Sequence, residues 1–311
     1  MPAPGFPVHP EQSPRQTSFE GVRVREDTLY SNSQGKERGG VRKRAQKAIA
    51  QLKDALLRVL AQDETVLYVT SAQALPSKLE ELFLGWIAYS THRGVLVFSN
   101  TRLLYLITGR GGKWQRSIRT AQWGDIEEAH VKGWLSPTLQ IKYRDGARET
   151  YWRLRRGDAR KIKALLAAVL PVSLSETSPA RGMAHLCPDC LTGLTGGVYK
   201  CPRCGLGFKD ESTMVRRSLM FPGLGYFYAG HAGLGILDIV FEAFLLFEIV
   251  IWVLIATGII QPPPRQRAGE AAVTAQSAWF TVAILAAILG FKKWLTTRHC
   301  RRFIKEFIPV K

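Results

Sequence analysis

The sequence predicts a multidomain α+β protein in which an antiparallel β-barrel or sandwich with a C-terminal helix precedes a small metal-binding module and two transmembrane α-helices. Three observations predict this order. Seven short segments of strand composition lie within residues 63–172, two Cys-x-x-Cys pairs lie within residues 185–210, and two long apolar runs lie within residues 215–295. Short strands with turn residues between them, paired cysteines and runs of about 20 apolar residues are typical of these three kinds of module.

The composition indicates several modules and a negatively charged neighbour. The chain has 311 residues, of which 46% are hydrophobic and 22% are charged, and this length favours two or three modules over one large core. Its formal net charge is +18 and its pI is about 10.0. Such a charge predicts attraction to a polyanion, either an anionic bilayer face or nucleic acid. We expect the bilayer, because the same chain carries apolar runs long enough to cross one.

The first 62 residues divide where the pattern changes. Residues 1–40 are rich in Pro, Ser, Gln, Gly and basic residues, and we predict a disordered basic tail there. Residues 41–62 carry apolar side chains at helical spacing among lysines and arginines, which predicts an amphipathic helix. That helix either lies on anionic lipid or packs its narrow apolar stripe on the next domain. We favour packing, because Asp54 and Asp63 dilute the basic charge.

Residues 63–172 predict a meander of about seven antiparallel strands that ends in a helix. The segments of β-branched and aromatic residues are 65–70, 94–99, 102–108, 115–119, 126–131, 139–143 and 149–154, with turn residues between them. A capping-box spacing of Ser77 and Glu80 predicts a short extra helix before the second strand. The final stretch, GDARKIKALLAAVL, predicts a helix with Asp158 near its N-cap, and Pro171 ends it.

This domain resembles the bacterial PH-like and GRAM-like domains. The stretch GVLVFSNTRLLYLI is similar to a hairpin of that family, and WGDIEEAHVKG is similar to the Trp-x-Asp-Ile turn before one of its strands. The matching residues, which we interpret as mostly architectural, are Gly94, Val95, Leu96, Val97, Asn100, Arg102, Leu103, Leu104, Trp123, Asp125 and Ile126. The resemblance implies a bent sheet with a helix at one corner, binding of lipid headgroups or protein partners, and no catalysis.

Basic residues of this domain are the candidates for binding a lipid headgroup or another anion. They are Lys113, Arg116, Arg119, Arg144 and Arg148, followed by Arg153, Arg155 and Arg156. A charge set of this kind is also typical of a solvated surface that attracts anionic lipid only diffusely. The sequence leaves both interpretations open.

Two Cys-x-x-Cys pairs predict a metal site after a linker at residues 173–184. Cys187 and Cys190 form the first pair, and Cys201 and Cys204 form the second. Four thiolates suit one tetrahedral Zn²⁺, and such a closed site leaves no position for a substrate, so we expect one structural zinc ion. The pattern resembles the zinc-ribbon family, although Leu191 stands where a glycine would follow the first pair. Disulfides or a redox dithiol pair are the alternatives, and His185 is expected to be a bystander.

The apolar runs predict two membrane spans at about 236–260 and 271–291, within a membrane region at 215–295. Ahead of the first span, glycines alternate with aromatic residues, as in a hairpin or an interfacial turn. This stretch resembles the TM2 membrane domain through Gly223, Gly225, Phe227, Tyr228, Gly230 and Gly235. The resemblance implies a membrane hairpin.

The flanking charges predict the topology. Arg216 and Arg217 precede the spans, and Lys292, Lys293 and a basic cytosolic tail at 296–311 follow them. By the positive-inside tendency, we expect a multi-pass protein of the plasma (inner) membrane with both termini in the cytoplasm. Three acidic residues lie in or beside the first span, and we expect no lysine or arginine of the second span to face them. These residues, Asp238, Glu242 and Glu248, are therefore candidates for interfacial solvation or oligomer contact more than for a proton or cation path.

Taken together, the modules predict a membrane-anchored, non-enzymatic binding or scaffold protein whose cytosolic modules bind the membrane surface or protein partners. The six histidines are scattered, and no nucleophile motif or phosphate-binding loop is present in the sequence. One alternative is a membrane-tethered nucleic-acid-binding protein, which the charge favours. Another is a small transporter or channel, which two spans form only as a homo-oligomer.

Overall fold

The computed structural model describes residues 15–76, 81, 93–173, 182–260 and 274–310. The chain divides into two compact units. The first unit contains the chain up to Phe208 together with Phe307–Lys311, and the second contains Lys209–Glu306.

The N-terminal part of the first unit is ordered from residue 15, where the sequence predicted disorder up to residue 40. It forms β1 (Gln16–Phe19), β2 (Val22–Arg25) and α1 (Glu26–Leu29), and α2 (Gly39–Val59) follows. Val22, Val24 and Leu29 are buried, and Val24 pairs in parallel with Val66 of the main sheet. The alternating Val-Arg-Val-Arg sequence therefore forms a strand whose valines are buried in a core. The average composition of residues 1–40 does not detect this alternation. Residues 1–14 of the predicted tail lie outside the described residues.

All seven predicted strands of the central domain are present. They are β3 (Val66–Ala74), β4 (Arg93–Ser99), β5 (Arg102–Thr108), β6 (Trp114–Gln122), β7 (Ile126–Lys132), β8 (Thr138–Tyr143) and β9 (Arg148–Trp152). Each pairs antiparallel with its neighbours in the order β6-β5-β4-β3-β9-β8-β7. The helix α3 (Arg156–Ser173) follows the last strand, as predicted, but it continues two residues past Pro171, which was expected to end it. The extra helix predicted from Ser77 and Glu80 lies outside the described residues.

The sheet separates two hydrophobic cores, because successive side chains of a strand point to opposite faces. Leu96, Phe98, Leu103 and Tyr105 face the core that α3 covers. The alternate residues of the same strands enter a second core against α2, β2 and α1. In α2, Ile49, Leu52 and Leu56 are fully buried there. The interpretation of α2 as a helix lying on lipid is therefore wrong, since its apolar stripe is already covered by the sheet.

The cysteine module is an extension of the same sheet. Its strands β10 (Ala184–Leu186) and β11 (Gly193–Leu194) pair with each other, and β10 pairs antiparallel with β6. The path of paired strands thus runs from β11 to β7, and β10 occupies the edge of β6 where a barrel would close. The predicted linker at 173–184 ends inside the domain, because Met183 packs against the core under α3. Residues 174–181 lie outside the described residues.

The described residues of the second unit form four helices: α4 (Glu211–Met220), α5 (Leu224–Ala229), α6 (Ala232–Ala256) and α7 (Ala275–Ile304). Of these, α6 and α7 are long and apolar enough to cross a membrane, and the most apolar stretch of each helix is almost entirely exposed. Helix α6 ends four residues before the predicted span end, with Gly258 in the left-handed conformation just beyond it. Helix α7 continues far past residue 291, so the first part of the predicted free tail at 296–311 is helical. His299, Cys300 and Phe303 are buried there.

Candidate metal and ligand sites

The four cysteines of the two pairs converge on one point. Their Sγ atoms all lie within 4.8 Å of one another, and all four cysteines are free thiols. The Sγ atoms of Cys187 and Cys204 are 3.5 Å apart, and those of Cys190 and Cys201 are 3.4 Å apart. A disulfide would need about 2.05 Å between sulfur atoms. Four sulfurs around a tetrahedral Zn²⁺ would be about 3.8 Å apart, so this donor set fits a metal ion.

Two similar turns place these sulfurs. After the first pair, the Leu191 amide donates to the Cys187 carbonyl at 2.9 Å, and after the second, the Gly205 amide donates to the Cys201 carbonyl at 3.0 Å. Both turn residues adopt the left-handed conformation, with φ of 58° at Leu191 and 75° at Gly205. The leucine therefore takes the conformation of the missing glycine, at a cost of about 1–2 kcal/mol. Its side chain packs against the core beside α2, which offsets part of that cost.

The local electrostatics of the cluster are uneven. Hydrogen bonding with Thr192 lowers the pKa of the Cys190 thiol to about 6, whereas burial raises the pKa of Cys187 to about 12. The lowered pKa favours the thiolate form of Cys190, which is the form that ligates metals. His185 is not a member of the four-sulfur group, and its ring packs on the Phe307 ring with 5.0 Å between the centroids. It is a bystander to the four-sulfur group, as predicted.

The five basic residues selected from the sequence do not form one cluster. Lys113 lies in the β5–β6 loop, Arg116 and Arg119 lie on β6, and Arg144 and Arg148 lie at the β8–β9 turn. Arg116 is bound to Asp189 of the cysteine module at 2.5 Å, and Arg119 is ion-paired with Glu149. Arg116 and Arg119 therefore hold parts of the domain together through their ion pairs.

A basic groove lies instead between α2 and the sheet, and we call it the α2 groove. Its volume is about 630 Å³, and α2, β3, the start of β4 and the glycine-rich β5–β6 turn line it. Five of its lining residues are basic: Arg44, Lys47, Arg93, Arg153 and Arg155. Arg153 and Arg155 were among the wider sequence candidates, whereas Arg44, Lys47 and Arg93 were not. The last three were missed because the fold alone brings α2 and the start of β4 together.

The α2 groove has free binding capacity. None of its five basic side chains forms an ion pair with the residues that the structure describes, and all five are exposed. Asp158, its acidic lining residue, is buried and accepts hydrogen bonds from Tyr68 at 2.9 Å and Thr70 at 2.8 Å. Gln73 also lines the groove and is 7% exposed, and its buried side-chain oxygen has no hydrogen-bond partner. These cations suit an anionic ligand, and the Gln73 oxygen can accept a hydrogen bond from a hydroxyl group or a water molecule.

The second unit contains a buried charge network that the sequence interpretation did not anticipate. Lys292 forms ion pairs with both Asp238, at 2.7 Å, and Glu242. Lys293 pairs with Glu242 at 2.8 Å and donates to the Ser218 carbonyl at 2.9 Å. The expectation that no lysine of the second span would face these acids is therefore wrong. The reason is that α7 runs past residue 291, so that Lys292 and Lys293 lie on a helix packed against α6.

Two further contacts complete this network and explain the glycine pattern. Asp238 also accepts hydrogen bonds from the Gly223 amide at 2.9 Å and the Thr296 hydroxyl at 3.1 Å. Gly223 has φ of 73°, and a Cβ there would clash with the Gly235 carbonyl. The glycines at 223 and 235 thus allow close approach of the α5 turn to α6. Glu248 is half-buried farther along α6 and has no ion pair among the described residues.

Comparisons with known proteins give partial matches to solved structures. No family model matches the chain, and no curated protein matches it. Among solved structures, the N-terminal PH domain of Vps36 is 17% identical over 38% of this chain and 87% of that chain, with a TM-score of 0.29. The hSac2 domain from the human phosphoinositide phosphatase Sac2 is 16% identical over 41% of this chain and 82% of that chain, with a TM-score of 0.28. Neither similarity bears on ligand or activity.

Proposed function

We propose that this chain is a membrane-anchored, non-enzymatic binding protein whose cytosolic first unit binds anionic membrane surface through the α2 groove. The observation that carries this proposal is a groove with five basic residues that lack acidic partners, on a chain with two helices able to cross a membrane. Anionic lipid attracts such a surface by about 1 kcal/mol per basic residue near the bilayer. The seven-strand order followed by α3 supports a PH-like layout for the unit.

The cysteine cluster supports one bound Zn²⁺ with a structural role. Cys187, Cys190, Cys201 and Cys204 would supply all four ligands, which leaves no open coordination position for substrate. The metal would hold together a short segment whose own core is small. Because β10 pairs with β6, this stabilisation extends to the edge of the ligand-binding sheet.

The topology of the proposed anchor follows from charge and connectivity. Arg216 and Arg217 lie on α4 before the spans. Lys292 and Lys293 lie at the end of the apolar part of α7. Basic residues at these positions favour the cytoplasmic side of the inner membrane for both ends of the two-helix anchor. In agreement with this, Phe307 after α7 packs against Phe208 in the first unit. The two helices therefore cross the membrane as a hairpin and return the chain to its starting side.

Two other functions receive less support. A transporter or channel needs ionisable groups in a path, but Asp238 and Glu242 are neutralised by Lys292 and Lys293. Nucleic-acid binding would use the same net positive charge. It predicts that DNA binding weakens steeply with rising salt concentration and that DNA competes with lipid for the protein. Protein partners and a homo-oligomer are both compatible with the proposed anchor.

The test uses the full-length, zinc-loaded protein in nanodiscs of neutral lipid, which cover the spans without offering an anionic surface. Capture of separate vesicles is measured with neutral vesicles and with vesicles that contain phosphatidylserine or a phosphorylated phosphatidylinositol, at two salt concentrations, with DNA as competitor. A groove variant carries Arg93→Gln, Arg153→Gln and Arg155→Gln. Its charge-matched control carries Arg23→Gln, Arg160→Gln and Arg203→Gln at exposed positions outside the groove.

We expect capture of anionic vesicles only, lost in the groove variant and retained in the control. Soluble inositol hexakisphosphate should compete if the groove takes a phosphorylated headgroup, and it should have little effect if the bilayer charge alone is sensed. Equal loss in both variants would show diffuse attraction and refute the groove as the site. No capture with or without DNA binding would refute the lipid function and direct the search to nucleic acid or protein partners.

A further inference from the structure

The turn between β7 and β8 presents two large apolar side chains to solvent. Trp134 is 73% exposed and Leu135 is 72% exposed, and no other large hydrophobic residue in the described part of the first unit exceeds the 51% of Val310. The last paired residues of the hairpin, Lys132 and Thr138, hold the turn at its base. We call residues 133–137 the apolar tip.

The apolar tip has a defined backbone shape. Gly133 has φ of 86°, a conformation that glycine adopts without strain. A Cβ at this position would lie 3.0 Å from the Ser136 carbonyl, so the turn is also closed tightly. Both strands below it belong to the main sheet, with Val131 paired to Leu139 and Ile141 paired to Ala129. A rigid hairpin therefore supports the exposed pair.

Two basic residues lie beside the apolar tip. Lys132 directly precedes it, and the Arg156 guanidinium lies 4.7 Å from the centre of the Trp134 ring. Neither Lys132 nor Arg156 forms an ion pair with the described residues. Arg156 follows Arg155, which lines the α2 groove, so consecutive residues connect the tip to the rim of that groove.

We propose that the apolar tip inserts Trp134 and Leu135 into the headgroup region of an anionic bilayer, so that the α2 groove receives its ligand at the membrane surface. The proposal deepens the function proposed above and rests on it for the groove, but not for the insertion. Trp suits the membrane interface because its ring is apolar and its N–H remains hydrated. Flanking cations suit anionic headgroups, and this charge complementarity selects the bilayer as occupant over a neutral protein surface.

The test measures the fluorescence of Trp134 in the full-length, zinc-loaded protein in nanodiscs. Its contribution is the difference between the wild type and Trp134→Phe, recorded with and without phosphatidylserine, with lipids brominated near the headgroup and with acrylamide in the water phase. The difference between wild type and Trp152→Phe gives a matched control, because Trp152 is half-buried in the same unit. The Leu135→Ser variant tests the second side chain, and Leu57→Ser is its control at another exposed leucine.

We expect brominated lipid to quench most of the Trp134 signal in anionic nanodiscs and acrylamide to quench it little. The Trp152 signal should not respond to lipid. Leu135→Ser should weaken the lipid quenching at unchanged melting temperature, and Leu57→Ser should leave it as in the wild type.

Two outcomes would overturn the insertion, and a third would overturn its dependence on anionic lipid. Acrylamide quenching that is equal with and without anionic lipid would show a tip that stays in water. Shielding from acrylamide without lipid quenching would show a protein contact, and its dependence on protein concentration would identify a second copy. If brominated lipid quenches Trp134 equally in neutral and in anionic nanodiscs, the flanking cations do not direct the tip to anionic lipid. The groove and the tip fail separately, because a groove variant that loses vesicle capture but keeps Trp134 quenching refutes only the groove.

Discussion

Replacing Arg102 by methionine should destabilise the first unit strongly, because it leaves a buried carboxylate without its main partner. The Glu64 side chain is 1% exposed, and Arg102 binds both of its oxygens, with Nη2 to Oε2 at 2.7 Å and Nε to Oε1 at 3.0 Å. Ser99 donates to the same carboxylate at 2.6 Å, and Arg102 also donates to the Val59 carbonyl at 2.7 Å. This cluster joins the end of α2 to the start of β3 and to β5.

The magnitude follows from the burial. Removing one partner of a buried ion pair costs about 3–5 kcal/mol, whereas an exposed pair contributes at most about 1 kcal/mol. For a unit of about 200 residues, 1 kcal/mol shifts the melting temperature by about 2–4 °C, so Arg102→Met should lower it by about 6–20 °C. Arg58→Met is the matched control, since Arg58 forms an exposed pair with Asp189 at 3.3 Å.

The pH dependence gives a second readout. Burial alone would raise the pKa of Glu64, but hydrogen bonds from Arg102 and Ser99 hold this pKa below its usual value. The ionised carboxylate therefore stabilises the wild type above the unfolded-state pKa of about 4.3, and this contribution is lost as the pH falls through the lowered native pKa. In Arg102→Met, burial should raise the pKa of Glu64, so the variant should approach the wild type as the pH falls.

The assay is thermal unfolding of the full-length protein in nanodiscs, with hydrogen exchange of the β4 and β5 amides to locate the change in the first unit. The double variant Arg102→Met with Glu64→Gln should lose less than the sum of the single variants, because it removes both charges. A loss no larger than that of Arg58→Met, or a difference from wild type that does not depend on pH, would refute the reasoning.

Three further predictions concern the metal, the C-terminus and the membrane unit. Cys201→Ser should lower the bound zinc below one ion per chain, as measured by elemental analysis. It should also speed hydrogen exchange in β10, as measured by mass spectrometry. A variant that retains one zinc ion per chain would contradict a four-cysteine site. Phe307→Ala should speed the loss of zinc to a chelator, because it removes a buried ring whose centroid lies 5.7 Å from that of Phe208. Val310→Ala, at an exposed position, should leave the rate of zinc loss unchanged. Equal rates of zinc loss in the two variants would contradict this packing. Lys292→Met should reduce the thermal stability of the second unit in detergent, because Asp238 loses its ion pair. Arg298→Met is the control, because Arg298 forms no ion pair with the described residues. Equal melting of these two variants would show that the charge network contributes little.

Local sequence pattern sufficed for the strands of the central domain, for α3 and for the two long apolar helices. Strand composition, helical spacing and turn residues gave the seven strands and α3, and length with composition gave two helices able to cross a membrane. The cysteine cluster was equally accessible, because two Cys-x-x-Cys pairs bring four ligands together at short range. These features depend on residues near one another in the chain, where side-chain periodicity and backbone preference act directly.

Local sequence pattern did not predict which distant segments of the chain pair with one another. The sequence did not reveal that β2 joins β3 or that β10 joins β6, because an edge strand is specified by the partner that covers it and not by its own few residues. The same limit explains the acids of the first span. Their lysine partners lie about 50 residues away, and only the packing of α6 on α7 shows that they are paired.

The sequence by itself thus determined the classes of module, the four cysteine ligands and the two apolar helices, since each follows from local composition and spacing. Only the tertiary structure decided which basic residues are free to bind an anion. Arg116 and Arg119 are held in ion pairs, whereas Arg44, Arg93 and Arg153 meet in the α2 groove without acidic partners. The physical reason is that the binding capacity of a charge depends on its neighbours in space, and these are set by the packing of α2 on the sheet.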